Sequence, residues 1–365
     1  MSTDPLKPSV LGGWKGLGRF WAGIGALIAV GGVTLHVLGP IDRPVERNSN
    51  KVAELLPATL PPPAEIRPAP IRAPSVPVRE RPGRDTPGPV VDPDPALLVP
   101  IPNAPIGGDA GDMIPRIAPD GRKPMQVYAA GFDPDTRRAR VSLILAGMGM
   151  NEADSLAAAR TLPGGVTFAV SPYAANVERV LSAVRLAGYE FLVSIPMEPT
   201  EFPLTDPGPR ALLTSLPPDA NLERLFWTFS RMGGYVGVTN ALGAMRGDRF
   251  SGMNDPMTAV LAEIGKRGLL FVDVRAGGGP NQQSWGRSVD LVIDEITTEE
   301  HIDQRLEALS RLARDRGTAL GLATAPRPVT VDRIAAWANG LLNKGLALAP
   351  VSAIAVPPAS KDPPK

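Results

Sequence analysis

The stretch from Val141 to Thr161, VSLILAGMGMNEADSLAAART, sets the fold of this chain. Its first five residues, Val141–Leu145, form a short and mostly apolar run, which is typical of a buried strand. Two glycines, Gly147 and Gly149, follow the run. The alanine-rich segment Glu152–Thr161 that follows starts with acidic residues and favours a helix. The stretch therefore predicts one strand–turn–helix unit.

The same alternation continues to the end of the chain. The further predicted strands are Val166–Ser171, Glu190–Ile195, Val236–Asn240, Leu269–Val274, Leu291–Asp294, Ala319–Ala323 and Ala347–Ile354. The further predicted helices are Asn176–Ala187, Leu222–Met232, Pro256–Arg267, Glu299–Arg316 and Val331–Asn343. Strands that alternate with helices predict a parallel sheet covered by helices. Seven or eight strands favour an α/β domain of the (β/α) barrel type, complete or incomplete, over a doubly wound open sheet.

An uncharged run near the start of the chain predicts a membrane anchor. Residues 20–39 contain no Asp, Glu, Lys or Arg, and about 20 apolar residues span the ~30 Å core of a bilayer. We predict an uncleaved transmembrane signal anchor here, with a cleaved signal peptide or a buried helix as alternatives. Because a short positive segment precedes it, residues 1–19 are expected in the cytoplasm. The C-terminal domain is then expected in the periplasm, tethered to the inner membrane.

Proline dominates the next part of the chain. Residues 40–135 hold 22 of the 42 prolines, a composition that favours extended polyproline II backbone over a packed core. We predict a disordered linker at 40–135, a folded domain at 136–357 and a short tail at 358–365. The linker serves either as a spacer or as a docking track for a partner.

Composition excludes several classes of function. The net charge is +1 and aromatic residues make up 5% of the chain, so the sequence gives no indication of nucleic-acid binding. There is no cysteine, and the two histidines are His36, in the apolar run, and His301, which is expected on the solvated surface of its helix. A Ser-His-Asp triad and a multi-histidine zinc site are therefore not expected. The Gly147–Gly149 turn lacks the third glycine of a dinucleotide-binding motif, since Glu152 occupies that place.

Polar side chains follow several of the predicted strands. Glu198, Asn240, Asp273, Arg275 and Asp294 are expected at the carboxyl ends of strands, where barrel enzymes carry their sites. Three carboxylates converging on one mouth could bind a metal or exchange protons with a substrate. Alternatively, Asp273 and Arg275 form a structural ion pair, because residues two apart on a strand point the same way.

A series of sequence blocks resembles the divergent polysaccharide deacetylases, relatives of esterases that remove N-acetyl groups from chitin-like polymers or peptidoglycan. The blocks, in chain order, are Leu162–Tyr173, Ala187–Pro199, Asp206–Pro209, Leu212–Thr214, Val236–Gly243 and Arg267–Arg275. The resemblance implies a barrel-like deacetylase domain at 136–357. It also implies an exported, membrane-tethered protein whose partner is envelope polysaccharide.

The sequence departs from that family where its chemistry lies. The family ends its first strand in two aspartates, whereas this chain has Ala146 and Gly147. Two family histidines are replaced by Ser194 and Ala241, and only Glu198 remains of the acidic and histidine residues in the third-strand block. Asp273, Arg275 and Asp294 match family positions. A hydrolytic metal needs about three protein ligands and an activated water, so we expect the family metal to be lost and no cofactor to be bound.

The resemblance and these departures together suggest a pseudo-enzyme that binds envelope glycan or an envelope protein. Glycan binding calls for aromatic side chains at the mouth of the barrel. Tyr173 and Trp285 are the candidates, with Phe202 as a third, although all three could equally pack in loops or core. The alternative is a metal-dependent carbohydrate deacetylase with a rearranged site at Glu198, Asp273 and Asp294, so whether the chain is an enzyme stays open here.

Overall fold

The structure is a computed structural model that describes Trp21 and residues 92–102, 112–275 and 281–359. Apart from Trp21, the predicted cytoplasmic segment 1–19, the predicted anchor 20–39 and linker residues 40–91 lie outside the described residues. Within the described residues, no helix has the length and apolarity that a membrane span requires.

Two antiparallel strands precede a large parallel sheet. The strands are β1 (Leu98–Pro100), β2 (Met113–Pro115), β3 (Ala139–Met148), β4 (Val166–Val170), β5 (Phe191–Ser194), β6 (Gly237–Thr239), β7 (Leu270–Asp273), β8 (Trp285–Ser288), β9 (Leu291–Val292), β10 (Thr318–Ala323) and β11 (Leu346–Leu348). The large sheet has the order β8-β7-β6-β5-β4-β3-β10-β9, and β11 pairs with β3. Its neighbouring strands are all parallel, as the alternation of strands and helices predicts.

Helices connect most of these strands. They are α1 (Pro124–Val127), α2 (Glu152–Thr161), α3 (Val177–Leu186), α4 (Pro218–Ser230), α5 (Asp248–Ser251), α6 (Asn254–Lys266), α7 (Glu299–Arg316) and α8 (Pro328–Asn339). The six predicted helices are all present, with ends shifted by a few residues. Strand β8 and the β1–β2 pair were not predicted.

The two ends of the sheet are joined by consecutive residues. β8 pairs with β7, and β9, which follows after two residues, pairs with β10. Between them, the Val289 amide donates to the Asp273 carbonyl (2.8 Å) and the Asp290 amide donates to the Leu320 carbonyl (2.9 Å). The chain thus crosses from one end of the sheet to the other, which gives the sheet a barrel-like form.

The buried core confirms a barrel-like α/β domain rather than a doubly wound open sheet. One apolar cluster lies between the sheet and the helices and includes Leu143 of β3, Leu225 of α4 and Leu309 of α7. A second cluster lies on the other face of the sheet, where Ile144 and Leu192 point. Helices α2 to α8 contribute buried residues to the first cluster and none to the second. A doubly wound sheet would need helices on both faces.

Helix α7 shows how local sequence sets an element. The Thr298 hydroxyl accepts a hydrogen bond from the His301 amide, which caps the helix, and Gly317 ends it in the left-handed conformation at φ 80°. The predicted stripe that includes Ile302 and Leu306 is buried. His301, expected at the surface, is half-buried, and its Nε2 atom is buried without a hydrogen-bond partner among the described residues.

Part of the predicted linker is folded onto the domain. Leu97, Met125 and Tyr128 are buried in the inner cluster, and Ile114 of β2 is buried in the outer one. The Met125 amide donates to the carbonyl of Gly268, just before β7, which places this segment at the amino end of the sheet. Residues 92–102 and 112–135 thus differ from the predicted disordered linker. Their spaced apolar side chains cover an open end of the core. The proline content of the segment does not show that the core requires this cover.

A buried carboxylate ties that end of the domain together. Glu190, directly before β5, is 1% exposed. It accepts hydrogen bonds from the Thr167 hydroxyl (2.9 Å), the Ser352 amide (3.0 Å) and hydroxyl, and the Ala130 amide (3.2 Å). Burial raises the pKa of Glu190, and the same donors oppose that rise. Three segments distant in sequence therefore meet at one side chain.

Replacing this carboxylate should destabilise the fold. In Glu190→Gln an amide NH₂ group, which is a donor, replaces one of the two carboxylate oxygens that accept hydrogen bonds. We therefore expect a loss of about 1–3 kcal/mol in the free energy of unfolding, measured by chemical denaturation. Because the pKa of Glu190 is raised in the folded state, its contribution is largest below the ordinary value of 4.5 and falls as pH rises through the folded-state value. The difference in the free energy of unfolding between the wild type and Glu190→Gln should therefore become smaller as the pH rises.

Glu178→Gln is the matched control, since Glu178 is exposed on α3. Its unfolding free energy should change by less than about 0.5 kcal/mol. Equal effects of the two substitutions would contradict the role assigned to Glu190.

Candidate functional site

The predicted polar site residues lie at one edge of the sheet. Asp273 ends β7, Asn240 follows β6, Glu198 follows β5 and Asp294 follows β9. Because all these strands are parallel, their carboxyl ends share an edge, and loops from four strands bring polar side chains to it. Arg275 lies there as well, two residues after β7.

Glu198 is buried, and groups of the protein contact both oxygens of its carboxylate. Its Oε2 atom accepts from the Thr214 amide (2.5 Å) and from the Thr214 hydroxyl (2.8 Å). Its Oε1 atom lies 3.2 Å from Nε of Arg249. The carboxylate therefore holds the loop that precedes α4 against α5.

Asn240, Asp273 and Arg275 form a second group. Asn240 Nδ2 donates to Ser251 Oγ (2.9 Å) and to Asp273 Oδ1 (3.3 Å), and its Oδ1 accepts from the Val274 amide (2.9 Å). The Arg275 guanidinium lies 2.6 Å from Asp273 Oδ2. The hydrogen bond to Asp273 raises the pKa of Arg275. The ion pair between Asp273 and Arg275, one of the two predicted alternatives, is thus formed.

Asp294 has separate partners. Its Oδ1 accepts from the Thr324 amide (2.8 Å) and its Oδ2 from the Thr324 hydroxyl (3.1 Å), while Arg327 lies 3.5 Å away. Burial raises the pKa of Asp294, against the effect of these donors and of Arg327. The side chain fastens the end of β10 to the loop after β9.

Helix α5 joins the first two groups. Its Arg249 contacts Glu198 and its Ser251 accepts from Asn240, and the Phe250 amide donates to the Glu198 carbonyl (3.1 Å). The sequence did not predict Arg249, Ser251 or Thr214 as site residues, because they lie in loops or in a four-residue helix without periodicity. Only the fold brings them to the carboxylates.

The positions that depart from the deacetylase pattern are closed. Ala146, Ser194 and Ala241 are fully buried, and the Ser194 hydroxyl has no hydrogen-bond partner within the described segments. Gly147 has φ +73°, and a Cβ atom there would lie 3.1 Å from the Thr324 carbonyl oxygen. Across residues 92–102, 112–275 and 281–359, no three His, Cys, Asp or Glu residues are grouped so that they could hold a metal ion. The residues present therefore do not fit a hydrolytic metal.

The two predicted aromatic residues do not share a surface. Tyr173 follows β4 at the carboxyl edge, and its ring lies 5.5 Å from that of Trp227 on α4. Trp285 is the first residue of β8 and is in register with Leu270, the first residue of β7. It therefore lies at the amino edge, and the prediction that it lines the same mouth is wrong. The sequence did not show β8, which fixes this position.

Known proteins resemble this chain along the whole sheet. Residues 143–355 match the sequence profile of a family described as divergent polysaccharide deacetylase. The crystal structure of an uncharacterized protein from Agrobacterium tumefaciens C58 has 31% sequence identity and a TM-score of 0.61, covering 66% of this chain and 98% of that one. A presumed polysaccharide deacetylase from Mycobacterium smegmatis has 14% identity and a TM-score of 0.43, covering 65% and 98%. No curated protein matches significantly.

The Asn240 network should be important for stability. Asn240→Ala leaves the buried Val274 amide without its acceptor, so we expect a loss of about 1–3 kcal/mol in the free energy of unfolding, measured by chemical denaturation. Asn176→Ala removes an exposed hydrogen bond to Glu152 and should cost less than about 0.5 kcal/mol. An unchanged stability of Asn240→Ala would show that the network is not structural.

Proposed function

This chain belongs to the divergent polysaccharide deacetylase family, and we propose that its domain keeps the family fold without the family's hydrolytic chemistry. In this proposal the domain binds envelope glycan, or an envelope protein, and does not cut it. Residues 20–39 anchor it in the inner membrane and the domain lies in the periplasm, separated from the membrane by the proline-rich segment.

The observation that carries the proposal is the state of the three carboxylates at the carboxyl edge. Glu198, Asp273 and Asp294 each accept two or more hydrogen bonds from the protein, and each lies within ion-pair distance of its own arginine. A general base or a metal ligand needs free lone pairs directed at a substrate or an ion. These carboxylates use theirs to hold loops together, which supports a structural role.

The alternative function is a metal-dependent carbohydrate deacetylase that uses the same three carboxylates in a rearranged site. The two functions differ in what the full-length chain does with zinc and an acetylated glycan. We expect no stoichiometric zinc by elemental mass spectrometry after exposure and dialysis. We also expect no acetate release from N-acetylated chitooligosaccharides.

One zinc ion per chain, together with acetate release, would overturn the proposal. In that case Glu198→Gln should abolish the release. Glu201→Gln, an exposed position in the same loop, should leave it unchanged.

Restoring one family aspartate should not restore a metal site. Gly147→Asp forces a side chain into a left-handed backbone conformation close to the Thr324 carbonyl oxygen, so we expect a loss of about 1–3 kcal/mol in the free energy of unfolding. Thermal denaturation with and without zinc measures this loss. Gly164→Asp is the control, because Gly164 is exposed and a Cβ atom there meets nothing within 4 Å. Stabilisation of Gly147→Asp by zinc would contradict the proposal.

A further inference from the structure

Beside the carboxyl edge, three arginines surround a pair of aromatic rings. The rings of Tyr173 and Trp227 are 5.5 Å apart and tilted by 39°. The guanidinium carbons of Arg231 and Arg210 lie 5.5 Å and 5.9 Å from the centre of the Trp227 ring. Arg224 lies on the same helix as Trp227, and its charge acts on Tyr173. We call these five residues the arginine patch.

The patch is held in place by contacts that leave most guanidinium donors unused. Arg231 Nε donates to the Pro172 carbonyl (3.3 Å), and the Arg224 guanidinium donates to the Ala211 carbonyl. The Arg210 amide donates to the Tyr173 hydroxyl (3.2 Å). Arg210 and Arg231 are exposed, whereas the two rings are half-buried. Cation–π contact orients a guanidinium without occupying its N–H groups.

The loop that carries Arg210 is shaped to lie on the Tyr173 ring. Gly208 has φ +98°, and a Cβ atom there would lie 2.8 Å from that ring. The Gly208 amide donates to Asp206 Oδ1 (2.8 Å), which fixes the turn. A glycine at position 208 is thus required for this approach, and it brings Arg210 to Trp227.

The charge of the patch is not neutralised by the protein. Within the described parts of the chain, no carboxylate lies within 4.0 Å of the guanidinium groups of Arg210, Arg224 or Arg231. The charges of Arg210 and Arg224 and that of Asp206 act on Tyr173, while Arg231 lies over the Trp227 ring. By contrast, the arginines at the carboxyl edge are paired, as Arg249 and Arg275 show. An unpaired, oriented cluster of guanidinium groups fits planar oxyanions.

We propose that the arginine patch binds a polysaccharide of acidic sugars, with sugar carboxylates on Arg210 and Arg231 and a sugar ring beside the exposed parts of Tyr173 and Trp227. This inference rests on the proposed glycan-binding function and names its ligand class and its residues. Guanidinium groups supply bidentate donors for a carboxylate, and aromatic rings supply an apolar surface for the C–H groups of a sugar ring.

The test compares an acidic and a neutral probe on the full-length chain. Isothermal titration measures binding of an oligogalacturonate and of a chitohexaose to the wild type and to the double variant Arg210→Gln/Arg231→Gln. We expect the oligogalacturonate to bind and the double variant to lose at least about tenfold in affinity. The control is Arg160→Gln/Arg311→Gln, which removes the same charge at two exposed arginines of α2 and α7 and should change affinity less than about threefold. Thermal unfolding confirms that all variants are folded.

Each outcome decides between the proposals. Equal losses in the two double variants would show unspecific charge attraction and overturn the assignment to the patch. Binding of chitohexaose alone, unaffected by either double variant, would overturn the acidic ligand and leave glycan binding standing. Binding of a poly-glutamate peptide but of neither glycan would replace the acidic glycan by an acidic protein. Binding of none of the three probes would overturn the further inference and the glycan-binding function together.

Discussion

The structure depends on keeping both faces of a parallel sheet away from water. Helices cover the outer face, and the curvature of the sheet turns the inner face on itself, where Ile144 and Leu192 are buried. The amino end of this inner core needs a separate cover. Segments before β3 and after β11 supply it, and Glu190 fastens them to the sheet by accepting hydrogen bonds from Ala130, Ser352 and Thr167 of β4. A carboxylate is buried there because it accepts several donors at once.

The carboxyl edge is likewise held together by polar side chains from several loops. In a barrel-like sheet this edge carries chemistry, because loops from many strands converge there. Here the loops are fastened to one another by Glu198, Asn240, Asp273 and Asp294, and the Ser194 side chain at the end of β5 is buried. A network that uses its carboxylates to hold loops gains order in the loops and leaves fewer free metal ligands, which supports the proposed binding role without hydrolysis. The arginines of the arginine patch, which have no carboxylate partner among the described residues, lie beside this edge.

Individual residues show which features of the fold and of the candidate site could be predicted from the sequence. The strand at Val141–Leu145 and the helix at Glu299–Arg316 were predicted because their periodicity and capping are local. The shared edge of Asp273 and Asp294 followed from strand direction alone. Trp285 was misplaced because β8 is short and lacks an apolar pattern, and only its register with β7 shows which edge it occupies.

The sequence by itself determined the α/β class, the alternation of strands and helices that gives a parallel sheet, and the family. Each of these depends on patterns within single segments or on the order of segments along the chain. Tertiary structure alone decided that residues 92–102 and 112–135 belong to the core, that α5 links Glu198 to Asn240, and that Tyr173 pairs with Trp227 among arginines. Those contacts join residues far apart in the chain. They form because the whole sheet curves and buries its inner face, and no local pattern carries that information.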